Sequence, residues 1–355
     1  MTDASAADRA AALHRDAIVV DGHTDILMPI ADGKMRLGDR FDLPDPGTWQ
    51  PPAGWQADAE AALYNFSPHT SFFQTMGHYD LPRFREGGLT VQAMAIFIEA
   101  ANLDRALHRA LRMVYWLNRE YEENADFAPV TSVAAIRQLK RDGKMGGILA
   151  FEGFEPIGSD LKLLDVFYAL GLRIATLTHS RRNYWADGTQ SGVATTGLTE
   201  PGRQAVRRMN ELGIVIDLAH LAPKGCWEVL EQSEAPVILS HSSPRRAFGG
   251  ESGDDTRRMM EALAKKGGVI GIIAWDQSDL AAYLDDVETV IREFGPDCVG
   301  LGTDFFGIER APTGFVGMHE LPNVTRGLVE RGHSDDVIRQ VLGENYLRVF
   351  EQVWR

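Results

Sequence analysis

Seven side chains able to bind a metal ion or move a proton close apolar, strand-like runs along this 355-residue chain. Val19-Val20-Asp21-Gly22 leads into His23-Thr24-Asp25. Ile148-Leu149-Ala150-Phe151 ends in Glu152, and Ala175-Thr176-Leu177-Thr178 in His179. Ile214-Val215-Ile216-Asp217-Leu218-Ala219 ends in His220, Val237-Ile238-Leu239-Ser240 in His241, and Val299-Gly300-Leu301-Gly302-Thr303 in Asp304. A buried parallel strand reads as a continuous apolar run, and in a (β/α)8 barrel the chemistry gathers where such strands end. Six runs closed in this way point to a metallohydrolase.

One residue separates His23 from Asp25, so on an extended strand both side chains face the same way. A carboxylate at Glu152, closing an apolar strand, needs a cation or donor to offset its desolvation. Any one of the histidines alone fits a core imidazole bonded to backbone; the set does not. The natural assembly is two ions sharing one carboxylate, with His23, Asp25 and Glu152 on the first and Glu152, His220 and His241 on the second. These ligands suit Zn²⁺, and Mn²⁺, Co²⁺ or Fe²⁺ also match them. Two neighbouring ions lower the pKa of a bridging water and supply hydroxide near neutral pH. Asp304 is then placed to shuttle the water's proton to a leaving amine. His179, which the metals do not need, is placed to donate to a carbonyl oxygen. Asp21 reads as a support for the ligands, and Asp217, of opposite aspect to His220, as structural. His14, His108 and His333 lie in charged helical patterns and read as surface residues.

Two further runs, 89–98 and 268–275, complete a set of eight. Helical patterns separate most of them. In residues 102–124, Leu103, Leu107, Leu111, Val114 and Leu117 recur at three- and four-residue steps. Thr199 is a cap for the next helix, with Pro201 in its first turn and Gly213 as its stop. Residues 254–266, 280–294 and 335–353 give three more helices. Gly87-Gly88, Gly146-Gly147 and Gly267-Gly268 read as turns that end a helix just before a strand. Eightfold alternation of strand and helix predicts a (β/α)8 TIM barrel with parallel strands. The whole chain, 1–355, reads as one domain, with 31–73 a long insertion after strand one that would serve as a lid.

Composition narrows the partners. A formal charge of −14 argues against nucleic acid or anionic lipid. No apolar stretch reaches the roughly 18 residues of a membrane span. Residues 1–15 lack the apolar core of a secretory signal, and 351–355 form no lipid-anchor tail. Only Cys226 and Cys298 are present, so no disulfide framework is expected and the cytoplasm is the expected location.

Read in order, the motifs resemble those of the renal (membrane) dipeptidases, metallopeptidases of the amidohydrolase superfamily. Asp21-Gly22-His23-Thr24-Asp25 resembles the opening metal motif, and Leu81-Pro82-Arg83-Phe84-Arg85-Glu86-Gly87-Gly88 the lead-in to strand two. Leu177-Thr178-His179 with Trp185-Ala186-Asp187, then Asp217-Leu218-Ala219-His220, Ser240-His241-Ser242-Ser243, Gly302-Thr303-Asp304-Phe305 and Gly343-Glu344-Asn345-Tyr346 continue the likeness nearly end to end. The resemblance implies a binuclear zinc dipeptidase, tolerant of a D-residue at the C-terminal position, with Glu152 as bridge, His179 as carbonyl contact and Asp304 as acid–base. A small peptide or amide is the implied partner, and a homodimer would be usual.

One departure stands out. The family's arginine for the substrate carboxylate, about ten residues after the strand-six histidine, has no counterpart in Phe248-Gly249-Gly250-Glu251-Ser252-Gly253-Asp254-Asp255. Arg245 and Arg246 precede that position and are the candidates to replace it. The rival substrates on the same site are an N-acyl amino acid or another small amide lacking the usual free carboxylate. A mononuclear deaminase and a non-catalytic, metal-stabilised binding protein are the rivals of other kinds.

Overall fold

The computed structural model describes residues 3–33, 35–40, 79–191, 196–249, 253–308 and 310–355. Most of the lid expected at 31–73 lies outside the described residues.

Nine strands are present among them: β1 (Val20–Asp21), β2 (Val91–Phe97), β3 (Phe127–Pro129), β4 (Met145–Glu152), β5 (Leu172–Thr176), β6 (Val215–Asp217), β7 (Ile238–Ser242), β8 (Val269–Ile272) and β9 (Val299–Leu301). Their order is β2-β1-β9-β8-β7-β6-β5-β4-β3, and β2 also pairs with β4. That second pairing closes eight parallel strands into a ring, the (β/α)8 barrel. β3 stays outside the ring. It lies along Met145 to Gly147 of β4, below Leu149, where pairing with β5 begins.

The helices are α1 (Asp3–Asp16), α2 (Leu27–Ala31), α3 (Leu81–Glu86), α4 (Ala106–Glu123), α5 (Val133–Asp142), α6 (Lys162–Ala169), α7 (Glu200–Leu212), α8 (Pro223–Gln232), α9 (Pro244–Gly249), α10 (Gly253–Lys265), α11 (Leu280–Phe294), α12 (Leu321–Glu330), α13 (Asp335–Arg339) and α14 (Asn345–Val353). Local chemistry sets their ends. Thr199 Oγ1 accepts from Gly202 N–H at the start of α7, and Gly213 stops it in the left-handed region.

Alternate residues of the strands fill the barrel. Val20, Val91, Ala93, Ile148, Ala150, Ile174, Val215, Ile238 and Val269 form one apolar cluster with Tyr346 and Phe350 of α14, which plugs the end opposite the site. Along β4 the inward face thus runs Ile148, Ala150, Glu152. Two apolar side chains fill the interior, and the third inward position carries the glutamate.

Three expectations need correcting. Gly146 and Gly147 lie inside β4, not before it; α5 ends earlier, at Gly143. On α4 the buried face is Ala106, Arg109, Ala110, Met113, Val114, Leu117 and Glu120, whereas Leu107 and Leu111 are exposed, as is Leu103 in the 3-10 turn (Ala100–Arg105) that precedes the helix. The cause is that Arg109 is buried by pairing with Glu99 and Asp32, and Glu120 by pairing with Arg36. His14 is buried rather than on the surface. Its ring spans α12 and the turn after α3, with Nδ1 2.6 Å from Thr325 Oγ1 and Nε2 2.8 Å from Gly87 O.

Candidate metal centre

Strand register sets the height of the site. Glu152 pairs with Phe97 and with Thr176, and Thr176 with Asp217. His179 and His220 each stand three residues beyond those paired positions, and Asp304 three beyond Leu301, the partner of Asp21. Equal offsets bring the side chains to one level over the C-terminal end of the barrel.

Two of them get there through unusual backbone. His220 has φ 61° and Asp304 φ 57°, both left-handed. Histidine and aspartate tolerate this region better than most residues, and such conformations gather at functional sites. The loop that carries Asp304 is tied back to strand one by Thr24 Oγ1–H to Phe305 O (2.7 Å) and Asp304 N–H to His23 O (3.3 Å). Gly307 closes that loop. A Cβ there would lie 2.2 Å from Asp304 Oδ1 and 2.9 Å from Asp25 Oδ2, so no side chain fits.

His241 depends on an irregularity. Ser240 shares the inward aspect of Ile238, so residue 241 of a regular strand would point out of the barrel. The register of β7 against β8 shifts between Leu239 and Ser242, and the His241 ring lies 4.1 Å from that of His23. Beneath the cluster, Asp21 accepts from Thr303 N–H and Oγ1–H, and Asp217 from the N–H groups of Ala219 and Ser240. These two carboxylates hold the strand ends, the supporting role expected of them.

All seven expected residues converge. Glu152 Oε1 lies 3.0 Å from His220 Nε2, 3.5 Å from His23 Nε2, and 3.9 Å from both His179 Nε2 and His241 Nε2. His23 Nε2 is 3.7 Å from Asp304 Oδ1, and His220 and His241 face each other Nε2 to Nε2 at 2.9 Å. His23, Glu152 and His241 form one set with donor atoms all within 4.8 Å of one another; Glu152, His179 and His220 form a second, and His23, Asp25 and Asp304 a third.

Burial governs their protonation. It lowers the His23 pKa to about 3 and that of His220 to about 4, and depresses those of His179 and His241. Neutral imidazoles result, which is the form that binds a metal. Burial raises Glu152 to about 8. Burial, and then the charge of neighbouring carboxylates, lifts Asp25 and Asp304 well above the ordinary range. Among the described residues, His23 Nε2, Asp25 Oδ1, Glu152 Oε2 and Asp304 Oδ1 are buried with no hydrogen-bond partner. Four orphaned polar atoms facing one space are costly unless something fills it. A divalent cation meets that demand, so the residues present fit a metal.

A cavity of about 680 Å³ opens over the cluster. Leu221, Met259, Met260, Ile273, Trp275 and Ile308 line one part of it, and Arg181, Thr189 and Gln190 another. Arg245 is not in its wall. Its Nη2 donates to Ala282 O (3.0 Å) and its Nε stands 3.5 Å from Asp286, both on α11. The Arg246 side chain lies outside the described residues. Arg181, by contrast, reaches the cavity, and its only signal in the sequence is a basic residue two positions after His179, which belongs to no motif.

A parallel barrel with imidazoles and carboxyls converging over its C-terminal end defines the class: a metal-dependent hydrolase. Residues 7–355 match the family model described as membrane dipeptidase (peptidase family M19), and the chain belongs to that family. It is accordingly a metallo-dipeptidase. The dipeptidase tcpJ of Claviceps purpurea is 29% identical over 314 residues, covering 82% of this chain and 74% of that one. The crystal structure of dipeptidase AC, an M19 metallopeptidase, superposes with a TM-score of 0.77 at 25% identity, covering 96% of this chain and 99% of that one. A Rhodobacter sphaeroides metallopeptidase, solved with a phosphinate mimic of the dipeptide L-Ala-D-Ala, shares the fold at TM-score 0.77 and 24% identity over 96% of this chain and all (100%) of its own. No helix among the described residues is long and apolar enough to cross a membrane.

Proposed function

We propose that the cluster holds two zinc ions and that the enzyme cleaves dipeptides, including those with a D-residue at the C-terminal position. His23, Asp25 and Glu152 would hold one ion, and Glu152, His220 and His241 the other. The observation that carries this reading is the position of Glu152. Its Oε1 has four imidazole nitrogens within 3.9 Å, and its Oε2 is buried without a partner. When bound, such ions act as Lewis acids and lower the pKa of water.

The remaining steps fall to the chain's own residues. Asp304, at the cavity wall with Oδ1 unpartnered, takes a proton from the attacking water and returns it to the leaving amine. His179 is held by the rings of Phe97 at 4.5 Å and His220 at 4.2 Å. Neutral through burial, it keeps one N–H to donate to the oxygen of the scissile carbonyl. The phosphinate mimic held by the Rhodobacter enzyme supports a small peptide as substrate.

The extent of the family match supports reading the chain as one domain. Two free, buried cysteines support a cytoplasmic location. A homodimer belongs to the same reading. Metal analysis tests the core of it: two zinc ions per chain, with dipeptide cleavage lost to EDTA and restored by zinc, is the expected result. One ion per chain at full activity would contradict it.

A further inference from the structure

Among the described residues that line the cavity, Arg181 alone carries a permanent positive charge. Its guanidinium has five N–H donors, and one nitrogen, Nη2, donates to Ile98 O at 3.0 Å. Among the described residues no carboxylate pairs with it. Glu155, whose carboxyl feels its charge, is turned towards Asn183 Nδ2 at 3.4 Å. The other guanidinium N–H groups have no partner among the described residues, and the residue lines the cavity. An Arg held with unmatched donors at the edge of a half-apolar pocket matches a planar anion.

The loop that carries it is fixed. Gln190 N–H donates to Ser180 O at 2.6 Å and Thr189 N–H to His220 O at 2.9 Å, so both limbs are tied at the base. A Cβ on Gly188 would stand 2.2 Å from His179 O, so only glycine lets the limbs approach this closely. Asn183 Nδ2 anchors the far side to Leu177 O at 2.8 Å. Arg181 thus sits two residues from His179 on pre-organised backbone, which limits the ordering cost of binding.

Substrate geometry completes the argument, which rests on the dipeptidase reading. In a dipeptide one residue, about 3.5 Å of chain, separates the scissile carbonyl from the terminal carboxylate. The carboxylate must therefore fall close beside the metal cluster, where Arg181 supplies the cation. We propose that Arg181 receives the C-terminal carboxylate of the substrate and so selects peptides that end in a free acid.

The test compares kcat/KM for a dipeptide and for its C-terminal amide, using zinc-loaded wild type, Arg181→Met and Arg181→Lys, with metal content and melting temperature measured on each. Wild type is expected to prefer the acid. Arg181→Met should lower that preference about ten- to hundredfold, through KM for the acid, and Arg181→Lys should restore part of it. Equal loss on acid and amide, or no change in their ratio, would overturn the assignment and leave the dipeptidase reading standing. A wild type that cleaves neither substrate would overturn both.

Discussion

Glu152 Oε1 stands 3.0 Å from His220 Nε2, although the two residues come from strands separated by β5. The contact exists because the register sets Glu152 level with Thr176, and Thr176 level with Asp217, three residues before His220. Glu152→Gln keeps the shape and removes the charge that two ions would share. Metal content should fall from two per chain to one or fewer, with kcat/KM down a thousandfold or more. Elemental analysis and dipeptide assays check both. Full metal content in this variant would mean that Glu152 bridges nothing.

Asp304→Asn separates an enzyme from a metal-stabilised binding protein. The variant should hold its zinc, keep KM within a few fold, and lose about 10²- to 10⁴-fold in kcat. Unchanged turnover, with only stability altered, would assign Asp304 a structural role.

Gly307→Ala tests how tightly the mouth is built. The new methyl would press on the carboxyl oxygens of Asp304 and Asp25. Zinc affinity should drop at least tenfold while the circular dichroism spectrum stays that of the wild type. Normal affinity would show that the 304–307 loop gives way freely.

Protonation makes the metal-free protein sensitive to pH in a definite direction. Glu152 has its folded-state pKa raised from 4.5 to about 8. Its contribution is full below about pH 4.5 and is lost as pH rises through 8. His23 and His220 are lowered from 6.5 to about 3 and about 4. Their contribution is full above 6.5 and is lost as pH falls through about 4 for His220 and about 3 for His23. Stripped protein should therefore melt earlier as pH rises from 6 to 8.5, whereas zinc-loaded protein should not. Zinc uptake should release protons in that range, which calorimetry in buffers of different ionisation enthalpy would detect. Equal melting slopes with and without zinc would contradict this.

Much of the site was legible because barrel strands alternate in a simple way. Apolar runs closed by His23, Glu152, His179, His220, His241 and Asp304 map onto strand ends, and the eight runs are the eight strands of the ring. The parts that could not be read depend on contacts between distant segments. β3 has three residues and exists by pairing with β4. The exposed side of α4 carries Leu107 and Leu111, with Leu103 exposed in the turn before it, because ion pairs let Arg109 and Glu120 face inwards, a choice invisible to apolar spacing. His14 is buried by partners at residues 87 and 325. Arg245 pairs with α11, and Arg181 reaches the cavity only because the loop after β5 folds back on itself.

The most direct measurement is hydrolysis of L,L- and L,D-dipeptides and of N-acyl amino acids by zinc-loaded protein, against an EDTA-stripped control. Zinc-dependent cleavage of dipeptides, with N-acyl amino acids cut at least tenfold more slowly, is the predicted result. Cleavage confined to the N-acyl compounds, or cleavage of dipeptides that survives EDTA, would contradict the account.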